Sequence, residues 1–182
     1  MSKAIGMVEF KTVSAGITAA DAMVKTADID IIEAETVCPG KYIVIVTGEL
    51  SAVNASVEAA KTQYGLHLID SFVLGNPAEE IFPAIYGASN VEILNSLGII
   101  ETYNAAAIIV AADEAAKTAN VSLVEIRLAR GMCGKSYLLL TGEVAAVQAA
   151  IARAKSSTEP KGMFLDSSVI ARPDKKLIDK IL

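Results

Sequence analysis

The sequence predicts an α+β chain made of two tandem copies of one small fold. Three observations predict it: a long internal repeat, the same order of strand and helix patterns in each half, and Gly-containing turns at equivalent places. Ile5-Gly6-Met7-Val8-Glu9 returns as Leu97-Gly98-Ile99-Ile100-Glu101. Ala19-Ala20-Asp21 returns as Ala111-Ala112-Asp113, and Lys25-Thr26-Ala27 as Lys117-Thr118-Ala119, all at an offset of 92. Eleven of the 30 positions in 5–34 are identical in 97–126. A period of about 90 residues is longer than a solenoid unit and is the size of a small domain.

The repeat continues with small slips. Gly40-Lys41-Tyr42 and Thr47-Gly48-Glu49 recur as Gly134-Lys135-Ser136 and Thr141-Gly142-Glu143 at an offset of 94, and Asp70-Ser71 recurs as Asp166-Ser167 at 96. Two extra residues therefore precede the second Gly-Lys. An insertion inside a strand would turn its buried face outward, so the stretch ahead of each Gly-Lys reads as a loop.

Each element follows in order. Ala4–Phe10 and Leu97–Thr102 alternate as strands, and the alanine-rich stretches Ala15–Ala27 and Ala107–Ala119 carry apolar residues at helical spacing. Ile29–Val37 and Tyr42–Thr47 are β-branched runs flanking Cys38-Pro39-Gly40-Lys41, a hairpin turn. Ala52–Lys61 and Ala145–Lys155 are second helices, each entered from Thr-Gly-Glu, and Leu68–Leu74 and Phe164–Ile170 close each unit. The order β-α-β-β-α-β is the ferredoxin-like split unit, one antiparallel sheet with both helices on one face. A short amphipathic piece (Glu79–Tyr86) and a polar connector, Gly87-Ala88-Ser89-Asn90, separate the copies, giving domains 1–90 and 91–182.

Composition narrows the function classes. The chain has 182 residues, 53% of them hydrophobic, and a mean hydropathy of +0.46. Its longest apolar run, Ala105–Ala112, is far short of the roughly 20 residues that span a bilayer. No signal-peptide core follows Met1-Ser2-Lys3-Ala4. The excess apolar surface is therefore expected at protein–protein contacts rather than in a membrane. A net charge of −5 without a basic cluster speaks against nucleic acid. Two cysteines and no export signal imply a reduced, cytosolic setting.

Gly6-Met7-Val8-Glu9, Ala19-Ala20-Asp21-Ala22-Met23-Val24-Lys25, the loop before Gly40, Thr47-Gly48-Glu49 with Val53, and Arg172-Pro173 resemble the bacterial microcompartment shell (BMC) domain. The resemblance covers nearly the whole chain, twice. Cys38-Pro39-Gly40 in the first copy only is most similar to the PduT-like subgroup of tandem shell proteins. The resemblance implies a homotrimer whose six domains form a pseudohexagonal tile, packed edge to edge with other shell proteins around enzymes within the cytoplasm. It places Val37, Pro39 and Gly40, and Met132, Cys133 and Gly134, in loops facing the central axis. It also implies a [4Fe–4S] cluster, one per trimer, with Cys38 as the ligand from each subunit. Electrons, or an intact cluster, would then pass across the shell, with an encapsulated redox enzyme as a further partner.

Ligand chemistry argues beside that resemblance. One cysteine cannot hold a four-iron cluster, but three-fold symmetry would bring three thiolates to one centre, leaving the fourth iron to a non-protein ligand. Soft thiolate suits iron–sulfur or zinc far better than calcium or magnesium. The bland alternative makes Cys38 a small apolar residue in a turn. Cys133 is open to three readings: a group beside the ligands, an alternative ligand, or a loop residue only.

Lys25 and Lys117 end the first helix of each copy, where a lysine also favours the helix dipole. The resemblance makes them edge contacts between tiles and adds Arg172; the first copy has Asn76 at the position of Arg172. Asp21 and Asp113 are assigned to helix or interface packing. An enzyme is the main competing reading. The only histidine, His67, heads the fourth strand and has Met163 as its counterpart. No nucleophile elbow, phosphate loop or carboxylate pair is present in the sequence. Two further readings stay open: a tile with a cluster-free pore for small metabolites, and a ferredoxin-like trimeric regulator binding a small ligand.

Overall fold

The computed structural model describes residues 4–89, 91–92 and 95–181. Asn90, where the connector was expected to end, and Met1–Lys3 lie outside the described residues. The first four-stranded sheet contains β1 (Ala4–Phe10), β2 (Ile29–Val37), β3 (Lys41–Gly48) and β4 (Leu68–Leu74), with helices α1 (Val13–Thr26) and α2 (Leu50–Tyr64). After the short α3 (Ile81–Ile85), the second sheet contains β5 (Ser96–Thr102), β6 (Val121–Arg127), β7 (Ser136–Gly142) and β8 (Phe164–Ala171), with α4 (Ala105–Thr118) and α5 (Val144–Thr158). A last helix, α6, spans Lys175–Ile181.

The strand orders are β2-β3-β1-β4 and β6-β7-β5-β8, every neighbouring pair antiparallel. The third strand of each copy inserts between the first two, the split arrangement the element order predicts. Both edge strands β2 and β6 carry a bulge at the equivalent place, Ile31/Glu33 and Leu123/Glu125.

By contacts the chain divides into two compact units. The first runs to Pro77 and includes Ala129–Gly134; the second holds Ala78–Leu128 and the residues from Lys135 onward. The sequence repeat instead puts the boundary between 90 and 91. The loop ahead of the second Gly-Lys therefore lies in the second copy by sequence and in the first unit by contact.

The repeated glycines have a packing reason. In the first unit α2 lies directly on β1. A Cβ on Gly6 would sit 2.6 Å from Val53 Cγ1 and 2.9 Å from Val57 Cγ2. In the second unit a Cβ on Gly98 would meet Leu140 Cδ1 at 2.7 Å and Val147 Cγ1 at 2.8 Å. The repeated Thr-Gly-Glu has a bonding reason. Thr47 Oγ1 donates to Ala4 C=O at 2.8 Å and Thr141 Oγ1 to Ser96 C=O at 2.7 Å, tying the third strand to the start of the first. The following Glu49 and Glu143 open the next helix through their carbonyls, which accept from Val53 and Val147 N–H at 2.9 Å each.

Where the copies differ, volumes compensate. Tyr42 packs against Gly16, leaving no room for a Cβ there. At the equivalent positions the second copy has Ser136 and Ile108, a small residue facing a large one with the roles exchanged. The first core gathers Val8, Phe10, Met23, Val44, Val46 and Val53, with Tyr64 edge-on to Phe10 at 6.4 Å between ring centroids.

Two features depart from the sequence reading. His67 does not head β4; it ends a 3-10 turn, Gly65–His67, and its carbonyl accepts from Lys11 N–H at 2.8 Å. Helix α6 was not expected. Its signal is Asp174, whose Oδ1 accepts from Lys176 N–H at 2.8 Å, ahead of the apolar pattern Leu177-Ile178-x-x-Ile181.

Candidate functional site

The site is the turn between β2 and β3. Val37 is buried and ends β2; Gly40 N–H closes the turn on Val37 C=O at 3.0 Å. The Cys38–Pro39 peptide is cis, and Gly40 sits at φ +91°, a conformation that favours glycine. Cys38 is half-buried with a free thiol.

The segment Ala129–Gly134 flanks this turn within the same unit. Ala129, Gly131, Cys133 and Gly134 all have positive φ, so the loop is tightly coiled. Cys38 N–H donates to Ala129 C=O at 3.1 Å. A Cβ on Gly134 would lie 3.2 Å from both Cys38 C=O and Lys41 Nζ. Cys38 thus has its N–H bonded to Ala129, and its C=O faces a place where a side chain at position 134 would crowd it. Thr36, Val37, Cys38, Pro39, Gly40 and Arg130 line an open hollow of about 380 Å³. Of the remaining loop residues, Met132 is half-buried and Cys133 is exposed with a free thiol.

Charges reinforce the turn. Lys41 Nζ donates to Glu9 Oε1 at 2.9 Å, and the Glu9 side chain is 0% exposed. Arg130 clamps two carboxylates of β2, with Nε donating to Glu35 Oε1 at 2.6 Å and Nη2 to Glu33 Oε1. Oε2 of Glu33 is buried without a hydrogen-bond partner. Burial, then the charge of Glu35, pushes the Glu33 carboxyl up against the pull of Arg130.

The second unit shows why that oxygen is orphaned. The repeat equates Glu33 with Glu125, which pairs with Arg127 at 2.7 Å. The other carboxylate oxygen of Glu125 accepts from Tyr137 OH at 2.7 Å. Tyr137 corresponds to Ile43, which has no hydroxyl to offer. Burial, with the hydrogen bond to Glu125, raises the Tyr137 phenol to about 12.

A raised carboxyl pKa means that the native state keeps its proton in a window above the ordinary carboxylate range, where the unfolded chain has lost it. Stability from Glu33 is then lost as pH rises through that window. Glu33→Gln is expected to change stability at pH 8 by no more than about 1 kcal/mol, in the stabilising direction, because the amide can donate to Glu35. Urea midpoints at pH 5 and pH 8 should lie closer together in the variant than in the parent.

The remaining sequence candidates lie elsewhere. Lys25 and Lys117 are the penultimate residues of α1 and α4, and each bonds the aspartate one turn earlier: Asp21 at 2.6 Å and Asp113 at 2.7 Å. Arg172 follows β8 at φ +50°, with its N–H on Asn95 C=O at 2.8 Å and its side chain exposed. Among the described residues no three His, Cys, Asp or Glu side chains gather where they could hold a metal ion. A cluster at Cys38 therefore fits only as part of a centre shared between copies.

Sequence reasoning missed Glu9–Lys41 and the Arg130 clamp. Their signal was present: Glu9/Glu101 and Glu33/Glu125 are acids repeated at equivalent places in the first and second strands of each copy.

The BMC domain model matches this chain twice, at residues 4–77 and 96–173. The chain belongs to the BMC-domain family of bacterial microcompartment shell proteins. It is 38% identical over 177 residues to the bacterial microcompartment shell protein PduT of Citrobacter freundii, covering 97% of this chain and 96% of PduT. The carboxysome shell protein CsoS1 of Prochlorococcus marinus is 39% identical over 88 residues, 47% of this chain and 85% of CsoS1. Among solved structures, a microcompartment protein from Desulfitobacterium hafniense DCB superimposes with a TM-score of 0.89 at 44% identity, covering 98% of this chain and 99% of the other. The two BMC matches thus follow one another along the chain, with a spacer that holds α3. No helix among the described residues is long and apolar enough to cross a membrane.

Proposed function

We propose that three copies of this shell protein form a tile and that their Cys38 thiolates together bind one [4Fe–4S] cluster at the shared centre. The observation that carries the reading is the Cys38 turn: a half-buried free thiol at an open hollow, on a backbone bonded to Ala129 beside Gly134. An isolated buried cysteine needs none of this. When bound, the cluster supplies one-electron redox chemistry. The chain's part is to present the thiolate, hold its backbone against Ala129 and Gly134, and keep Arg130 engaged with Glu33 and Glu35. The role is structural, in the shell, with electron or cluster transfer as its added capacity. Other shell proteins meet the tile at its edges, through Lys25, Lys117 and Arg172, and an encapsulated redox enzyme is the electron partner.

A second reading is favoured by the open hollow at this turn with Arg130 in its wall: a cluster-free passage for small anionic metabolites. Anaerobic reconstitution with iron and sulfide separates the two. The parent should take up one cluster per three chains and give a paramagnetic signal on reduction. Cys38→Ser should bind no iron while light scattering still reports a trimer. A parent trimer that takes up no iron, or a serine variant that keeps its cluster, overturns the redox reading.

A further inference from the structure

The two copies differ in what covers the outer face of their first helix and edge strand. In the second unit the segment Ala78–Ile85 lies against α4 and β6. Ala78 N–H donates to Asp113 Oδ1 at 2.9 Å, and Leu123 N–H donates to Glu80 Oε2 at 2.8 Å. Ile81, Ala84 and Ile85 are buried there. The equivalent face of the first unit carries no such cover among the described residues. Ile17 is 53% exposed where Ile109 is 0%, and Ile31 is 42% exposed where Leu123 is 1%. The Asp21 side chain is 58% exposed where that of Asp113 is 5%.

The repeat also supplies the missing piece. Pro77 corresponds to Pro173, so Ala78–Ile85 corresponds to Asp174–Ile181. The apolar pattern Ile81-Phe82-x-x-Ile85 returns as Leu177-Ile178-x-x-Ile181. Charge changes in concert on both sides. The face gains acid, with Asp28 and Asp30 exposed where the second copy has Asn120 and Ser122. The segment gains base, with Lys175 and Lys176 where the first has Glu79 and Glu80. Within its own unit α6 is lightly seated: none of its residues is buried, only Ile181 among them packs on the Leu97–Val124–Leu139 cluster, and a hollow of about 590 Å³ is lined by Leu177, Lys180 and Ile181 together with Leu97, Ile99, Tyr137 and Leu139. A seven-residue helix packed so loosely has little to hold it in place.

We propose that Asp174–Ile181 of one copy docks on the α1–β2 face of a second copy, as Ala78–Ile85 docks on α4 and β6 within the second unit. This rests on the reading that copies of the chain assemble. The apolar residues fill the face around Ile17 and Ile31, and the lysines meet Asp28 and Asp30. Asp21 then accepts from the backbone of Asp174, as Asp113 does from Ala78.

Charge reversal tests it on exposed residues that leave each core intact. Sedimentation over a concentration series compares the parent with K175E/K176E, D28K/D30K and the four-fold combination. Each reversal should raise the concentration for half-assembly by about tenfold or more, and the combination should recover most of the loss. A parent that assembles, with reversals that change nothing or losses that add in the combination, overturns the docking and leaves the tile standing. A parent that stays monomeric overturns both.

Discussion

Glu9→Ala is expected to cost about 3–5 kcal/mol, the range for removing one partner of a buried ion pair. The Glu9 side chain is fully buried and that of Lys41 is 19% exposed, so the ammonium is left largely desolvated with its 2.9 Å partner gone. Replacing both together, Glu9→Leu with Lys41→Met, should be close to neutral, because the desolvation of both charges disappears with the attraction. Urea unfolding of the two variants checks the contrast. The repeat supplies an internal control. Glu101 occupies the same position in the second copy but is half-exposed beside the hollow under α6, so Glu101→Ala should cost less than about 1 kcal/mol. The effect reaches the site as well, since Lys41 immediately follows the Cys38-Pro39-Gly40 turn and begins β3.

Gly6→Ala should destabilise the first unit by about 1–3 kcal/mol through overpacking. The added methyl would lie 2.6 Å from one valine methyl and 2.9 Å from another, on the short, stiff side chains of Val53 and Val57. To make room, α2 would have to lift from β1. Val53→Ala removes the nearer methyl and should recover part of the loss in the double variant, although alone it is destabilising. Gly98→Ala should behave alike against Val147 and Leu140, with some relief because Leu140 can turn about its longer side chain. Thermal or urea midpoints of the four variants and the parent decide it. If alanine at position 6 is silent, the close helix–strand approach is not the reason this glycine is repeated.

Much of the architecture was legible because the chain states it twice. A glycine under a helix, a threonine bonding the neighbouring strand and an aspartate on the first helix each recur at fixed spacing, so shared positions mark shared structural demands. Strand bounds were readable where the apolar pattern ends at turn residues, as for β2 before Cys38-Pro39-Gly40 and β4 before Gly75-Asn76-Pro77. Helix α6 was harder to see, since a short amphipathic helix after a proline has too few residues for its period to stand out. His67 was misplaced because the 3-10 turn is defined by backbone bonds, Leu68 N–H to Gly65 C=O among them, and these leave little trace in residue type.

At the site, Cys38 was picked out by the resemblance of its turn to the shell family, because by residue chemistry alone a lone cysteine reads as a small apolar residue in a turn. Its neighbours were another matter. Arg130 lies 95 residues from Glu35, and the orphaned oxygen of Glu33 depends on Ile43 standing where Tyr137 stands in the other copy.

The order of amino acids alone determined the duplication and the β-α-β-β-α-β pattern, since these follow from local periodicity and from comparing the chain with itself. Only the tertiary structure decided that Ala129–Gly134 packs with the first unit, that Glu9 is buried while its twin is half-exposed, and that one helix face is covered while its counterpart is bare. Burial and pairing are properties of what surrounds a residue, and equivalent segments meet different surroundings once the chain has folded.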